Sequence, residues 1–140
     1  MFLPLIAAGV LHGSTQAQQS IGNGDSNWIQ TEGVTRVDGT LTFKEVQIDG
    51  NGWLVIHPFE EGAPNGDKYV ASTYVKDGKN SNVEIKVHKG LSSGKMFIVM
   101  LHRDVNENKV LDFVFVDEQN VMDTAVFEGS RMIGHAIPAP

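Results

Sequence analysis

Oxygen-bearing side chains recur with a spacing of two over one short stretch: Asp104, Asn106, Asn108 and, further on, Asp112. Val110 lies between the last two and can offer its backbone carbonyl. Ca²⁺ is a hard cation that takes roughly six to eight oxygen ligands, and alternate positions of a tight loop can turn their oxygens towards one ion. These five residues are the candidate calcium ligands. A metal-free reading stands beside that one. Asp and Asn favour turns because their side chains accept nearby backbone N–H groups, so an Asx-rich connection between strands needs no ion.

The order resembles the first nine positions of an EF-hand loop. It departs from that pattern at Lys109, where glycine normally makes the sharp turn, and at Phe115, where a bidentate Glu normally closes the site. Asp117, Glu118 or Asp123 could supply the missing carboxylate from a neighbouring strand.

Two histidines form the second candidate. His57 follows the apolar run Trp53-Leu54-Val55-Ile56, and His102 follows the apolar run from Met96 to Leu101. If those strands are neighbours, the imidazoles meet, and imidazole suits Cu²⁺ or Zn²⁺. His135 is a possible third member. The alternative is that both histidines hydrogen-bond to close the ends of the fold. The chain has no cysteine, so a type 1 copper site is excluded, with thiolate zinc sites and iron–sulfur clusters.

Catalytic patterns fail when checked. There is no Gly-x-Ser-x-Gly elbow and no His-Glu-x-x-His. Gly90 to Met96 is one residue short of a phosphate loop and ends in Met. Glu60-Glu61 and Asp117-Glu118 are adjacent acids of the kind a solvated surface carries. The expectation is a protein that is not an enzyme.

The elements that must position these residues read as strands. Leu41, Phe43, Val46 and Ile48 recur near a period of two, with a phase slip at Lys44–Glu45 that predicts a β-bulge. Asp49-Gly50-Asn51-Gly52 is a strong turn signal. Trp53–Ile56 and Met96–Leu101 are continuously apolar and read as central strands. Tyr69–Val75 is β-rich, and Val83, Ile85 and Val87 alternate with polar residues. Phe113–Val116 and Arg131–Ile137 complete the set. No helical periodicity competes. The fold class expected is all-β, an antiparallel immunoglobulin-like sandwich of about seven strands, with a small barrel as the alternative.

The chain has 140 residues, which suits one domain. Seventeen acids against eleven bases give a net charge of −6, with no basic run, so a nucleic-acid partner is not expected. Met1 to Ala17 carry no Asp, Glu, Lys or Arg. Phe2–Leu11 is mostly apolar, and small or polar residues follow as far as Ala17. That layout predicts a secretory signal over residues 1–17, cleaved after Ala17. It is too short for a transmembrane span, which needs about 20 apolar residues. Residues 18–39 read as a flexible polar lead-in, and residues 40–140 as the β-sandwich domain.

From Thr40 to Ile137 the chain resembles an uncharacterised family of secreted immunoglobulin-like β-sandwich domains found in haloarchaeal and bacterial surface proteins. Trp53-Leu54-Val55-Ile56-His57, Val83-Glu84-Ile85-Lys86-Val87 and Met100-Leu101-His102-Arg103-Asp104 carry the resemblance. Asn106, Asn108, Asp112, Phe113 and Asp123-Thr124-Ala125-Val126 extend it. The resemblance implies a fold and an exported setting, and no activity. The expected function is therefore a non-enzymatic β-sandwich module that is secreted, periplasmic or at the cell surface. It would have a structural or interaction role, an unidentified protein or surface partner, and Ca²⁺ bracing its loop. Two alternatives are a small extracellular copper-binding protein using His57 and His102, and a homo-oligomeric filament subunit completed by strand addition.

Overall fold

The computed structural model describes residues 19–87, 91–113, 115–116, 119–120 and 122–140. The expected signal at 1–17 lies outside them, as do Asp117 and Glu118. The described residues form strands and no helix. They therefore contain no helix long and apolar enough to cross a membrane.

The strands run β1 Ile21–Gly22, β2 Trp28–Ile29, β3 Thr35–Val37, β4 Thr40–Ile48, β5 Gly52–Glu60, β6 Ala63–Pro64 and β7 Ala71–Val75. They continue as β8 Gly78–Lys86, β9 Met96–Arg103, β10 Phe115–Val116, β11 Gln119–Asn120, β12 Phe127–Glu128 and β13 Arg131–Pro138. One sheet has the order β1-β13-β9-β5-β6, with β12 on β13 and β7 on β5. The second has β2-β4-β3, with β8 on the other edge of β4. A short β10–β11 ribbon stands apart. Among the described pairings all are antiparallel except β1 with β13.

The core lies between the two sheets. Leu41, Phe43, Val46 and Ile48 of β4 meet Leu54 and Ile56 of β5, Phe97, Val99 and Leu101 of β9, and Ile133 of β13. Burying such side chains is the main favourable term, roughly 1.5–3 kcal/mol each. Alternation then forces the other residues of β5 and β9 onto the opposite face of the sheet. That outer face carries Trp53, Val55 and His57 beside Ile98, Met100 and His102.

Three features differ from the sequence reading. Residues 19–39 are built into the fold: β1 pairs with β13, β2 and β3 pair with β4, and Ile29 is fully buried. Short strands that hydrogen-bond to a larger sheet need little periodicity of their own, which is why this stretch reads as a lead-in. The phase slip in β4 is present, but it is no bulge. Thr42 faces Glu84 and Glu45 faces Ser81, so the register is the same on both sides of Lys44. A bulge adds a residue to one strand only. Here both strands slip together, and Asn82, opposite Lys44, has a φ of 52°.

The turn at Asp49–Asn51 carries the chain from one sheet to the other and closes no hairpin, because β4 and β5 belong to different sheets. Gly50 takes a φ of 89°. Gly52 is required for a different reason: a Cβ there would lie 2.1 Å from the carbonyl oxygen of His102. Its missing side chain lets β5 approach the end of β9.

Candidate functional site

The Asp/Asn-rich loop leaves the end of β9. Asp104 is 4% exposed, and its carboxylate accepts the backbone N–H groups of Asn108 (3.3 Å) and Lys109 (2.9 Å). Asn108 Oδ1 accepts Val110 N–H at 2.9 Å. The amides of Asn106 and Asn108 donate to one oxygen of Asp112, at 3.1 and 2.9 Å. The structure thus brings together Asp104, Asn106, Asn108 and Asp112, while the Val110 side chain is exposed. Lys109 adopts the left-handed conformation itself, with φ 59°, and Glu107 does so with φ 53°. Both oxygens of Asp104, one oxygen of Asp112 and Asn108 Oδ1 are engaged with N–H donors of the same loop, so a cation would have to displace those bonds.

Asp123 fastens this loop. It is fully buried, and its two carboxylate oxygens accept Val105 N–H at 2.9 Å and Asp112 N–H at 2.8 Å. The sequence offers Asp123 as one of three spare carboxylates and within the family-like segment Asp123-Thr124-Ala125-Val126. Its role depends on contacts with residues 18 and 11 positions earlier in the chain, for which spacing carries no signal.

The carbonyl of Asp123 leads to the histidines. His102 Nδ1 donates to it at 2.7 Å, and His57 Nδ1 donates to the carbonyl of Lys68 at 2.6 Å. The register sets His57 opposite Ile98 and His102 opposite Trp53, so the two histidines are not direct cross-strand partners. Their rings lean along the outer face until Nε2 of one lies 3.2 Å from Nε2 of the other. The ring centroids are 5.3 Å apart, which places the rings tip to tip. His57 is 1% and His102 3% exposed. Phe113, at the end of the Asp/Asn loop, packs against both rings at 5.7 and 5.8 Å, and Tyr69 packs edge-on against Phe113 at 5.1 Å. The loop read from sequence as a separate candidate is therefore the cover of the histidine pair.

Burial disfavours the charged imidazolium and lowers both histidines. In His57 the hydrogen bond to Lys68 opposes this. His102 is pushed down to about 4 by burial, against its bond to Asp123, with His57 adding a smaller downward push. His135 stands elsewhere: it faces Val99 across the strands, on the core side, and its Nε2 bonds to Asn23 Oδ1 at 2.7 Å. Among the described residues no cluster of three or more His, Cys, Asp or Glu gathers in a metal-binding arrangement. Trp53 stacks edge-on against Tyr74 at 5.2 Å, and its buried indole N–H lacks a hydrogen-bond acceptor.

Residues 28–136 match the model of the family described as domain of unknown function DUF7282, and the chain belongs to that family. The match begins at Trp28, so β2 and β3 lie within the family's domain. No curated protein and no solved structure matches the chain.

Proposed function

We propose that this DUF7282 domain is an exported, non-enzymatic β-sandwich module of immunoglobulin-like type, with a structural or interaction role at the cell surface. One observation carries the reading: its buried and half-buried carboxylates serve as backbone staples. Asp104 and Asp123 each hold two loop N–H groups. Glu128 holds those of Asp25 and Ser26 at 2.8 and 3.0 Å, together with the Asn27 amide at 2.9 Å. A carboxylate whose oxygens are already taken up by two or three N–H donors has little free lone-pair capacity to accept a substrate proton. What such staples do well is hold long loops rigid, as a docking surface requires.

Two measurements test the reading. Expression of the full chain in an exporting host, followed by intact-mass analysis, should find the protein outside the cytoplasm, beginning at Gln18. Full-length material retained in the cytoplasm would count against export. Native-state hydrogen exchange should protect the amides of Val105, Lys109 and Asp112 about as well as those of β9. Fast exchange there would overturn the staple argument.

A further inference from the structure

We propose that His57 and His102 bind one borderline divalent metal ion of the Zn²⁺ class, held between their two Nε2 atoms in tetrahedral geometry with the remaining positions open to exogenous ligands. The proposal goes beyond the module reading and does not depend on it.

The argument begins with the protons. A carbonyl oxygen can only accept, so the bonds to Lys68 and Asp123 require a hydrogen on Nδ1 of each ring. In a neutral imidazole the other nitrogen then bears a lone pair and no hydrogen. Two such lone pairs face one another across 3.2 Å inside the protein. Neither ring can donate to the other while both are neutral. With both rings neutral the contact has the separation of a hydrogen bond and no hydrogen to make one, so it calls for an electropositive centre between the nitrogens.

The spacing selects the kind of centre. Zn–N bonds measure about 2.0–2.1 Å, so nitrogens 3.2 Å apart subtend roughly 100–106° at a bound ion. That is close to the tetrahedral angle. A linear two-coordinate ion would need the nitrogens about 4 Å apart at the same bond length. The outer support also has the form found at metal-bound histidines, whose second ring nitrogen usually donates to a backbone carbonyl or carboxylate. Here both do so, which fixes both tautomers before any ion arrives. Phe113 packs against both imidazoles and Tyr69 against Phe113, so one side of the pair is aromatic.

The competing solution is a single proton shared between the two Nε2 atoms. It leaves a charged imidazolium buried, with His57 1% and His102 3% exposed, which desolvation disfavours. An ion can instead take anions or water in its open positions, which spreads its charge.

The test uses the untagged full chain. Calorimetric titration with Zn²⁺ should show one saturable equivalent per chain. Co²⁺ in its place should give the intense visible bands of a tetrahedral ion. Cu²⁺, which nitrogen sites generally hold at least as well, should compete for the same equivalent. His57→Phe and His102→Phe should each weaken binding about tenfold or more. Long-range ¹⁵N–¹H spectra of the unsubstituted protein decide the matter even if those variants do not fold. They should show hydrogen on both Nδ1 atoms, and Zn²⁺ should shift both Nε2 resonances. The proposal is overturned by any of three results: no saturable binding at millimolar Zn²⁺, equal binding in a folded His57→Phe variant, or a hydrogen on one Nε2 that Zn²⁺ leaves unchanged.

Discussion

The Asp/Asn loop and the histidine pair touch through Phe113 and Asp123, yet they treat buried polar groups in opposite ways. In the loop every named carboxylate meets N–H donors: Asp104 accepts two, Asp112 two and Asp123 two. In the pair, two acceptors meet each other. The first arrangement is complete with the protein's own atoms. The second is incomplete without something from outside. A sequence rich in metal-like oxygens thus marks the self-sufficient region, and two histidines unremarkable in sequence mark the region that wants a partner.

The comparison breaks first at Asp123. Asp123→Ala would leave the N–H groups of Val105 and Asp112 without these acceptors and untie the loop from the segment around residue 123. Each unsatisfied buried group costs about 1–3 kcal/mol, so the loss should be about 4 kcal/mol in urea unfolding. A loss under about 1 kcal/mol would mean that the loop's donors find water as readily as carboxylate, and the contrast would fail.

Acid tests the other side. The unfolded chain protonates His102 near 6.5, whereas the folded chain resists until about 4. Above the upper value both states are neutral at this residue and its contribution is intact. As pH falls between the two values only the unfolded state gains the proton, so stability is lost. The full difference is worth about 3 kcal/mol, with His57 acting in the same direction. Urea midpoints at pH 7.5, 5.5 and 4 should fall in that order for the metal-free protein. A flat profile would show that the pair already holds a proton at neutral pH.

A smaller effect concerns backbone strain. Glu107 is exposed and left-handed at φ 53°, a conformation that costs an L residue roughly 1–2 kcal/mol and glycine nothing. Glu107→Gly should raise stability by about 0.5–1 kcal/mol after the extra freedom of the unfolded chain is counted. Destabilisation would point to a role for that side chain in the loop.

The smallest expected effect is that of calcium. Because the Asp104 carboxylate, Asn108 Oδ1 and one oxygen of Asp112 already hold N–H donors, millimolar Ca²⁺ should move the Tm by less than about 1 °C. A chelator-reversible rise of several degrees would mean that the ion binds the folded state and that the Asn106 and Asn108 amides turn over to meet it.

Period-two alternation made the long strands legible, because a sheet with one face on a core must alternate, and β4, β5, β9, β13 and the second half of β8 fall where the sequence predicts them, whereas the polar first half of β8 was not foreseen. Continuous apolar runs also marked β5 and β9 as central. The turn at Asp49–Asn51 was legible as a turn but not as a crossing, since turn residues report a local backbone angle and not which sheet follows. Strands β1 to β3 were not legible, because two or three residues make no period.

Composition and local pattern by themselves determined the all-β class, the lack of any thiolate chemistry and the candidate residues. Tertiary structure alone decided which candidates belong together. Asp123 acts through a contact far along the chain. The meeting of His57 and His102 depends on the β5–β9 register and on ring lean. The tautomers that leave two lone pairs facing each other are set by the carbonyls of Lys68 and Asp123. Each is a non-local hydrogen-bond choice, and a one-dimensional spacing carries no record of it.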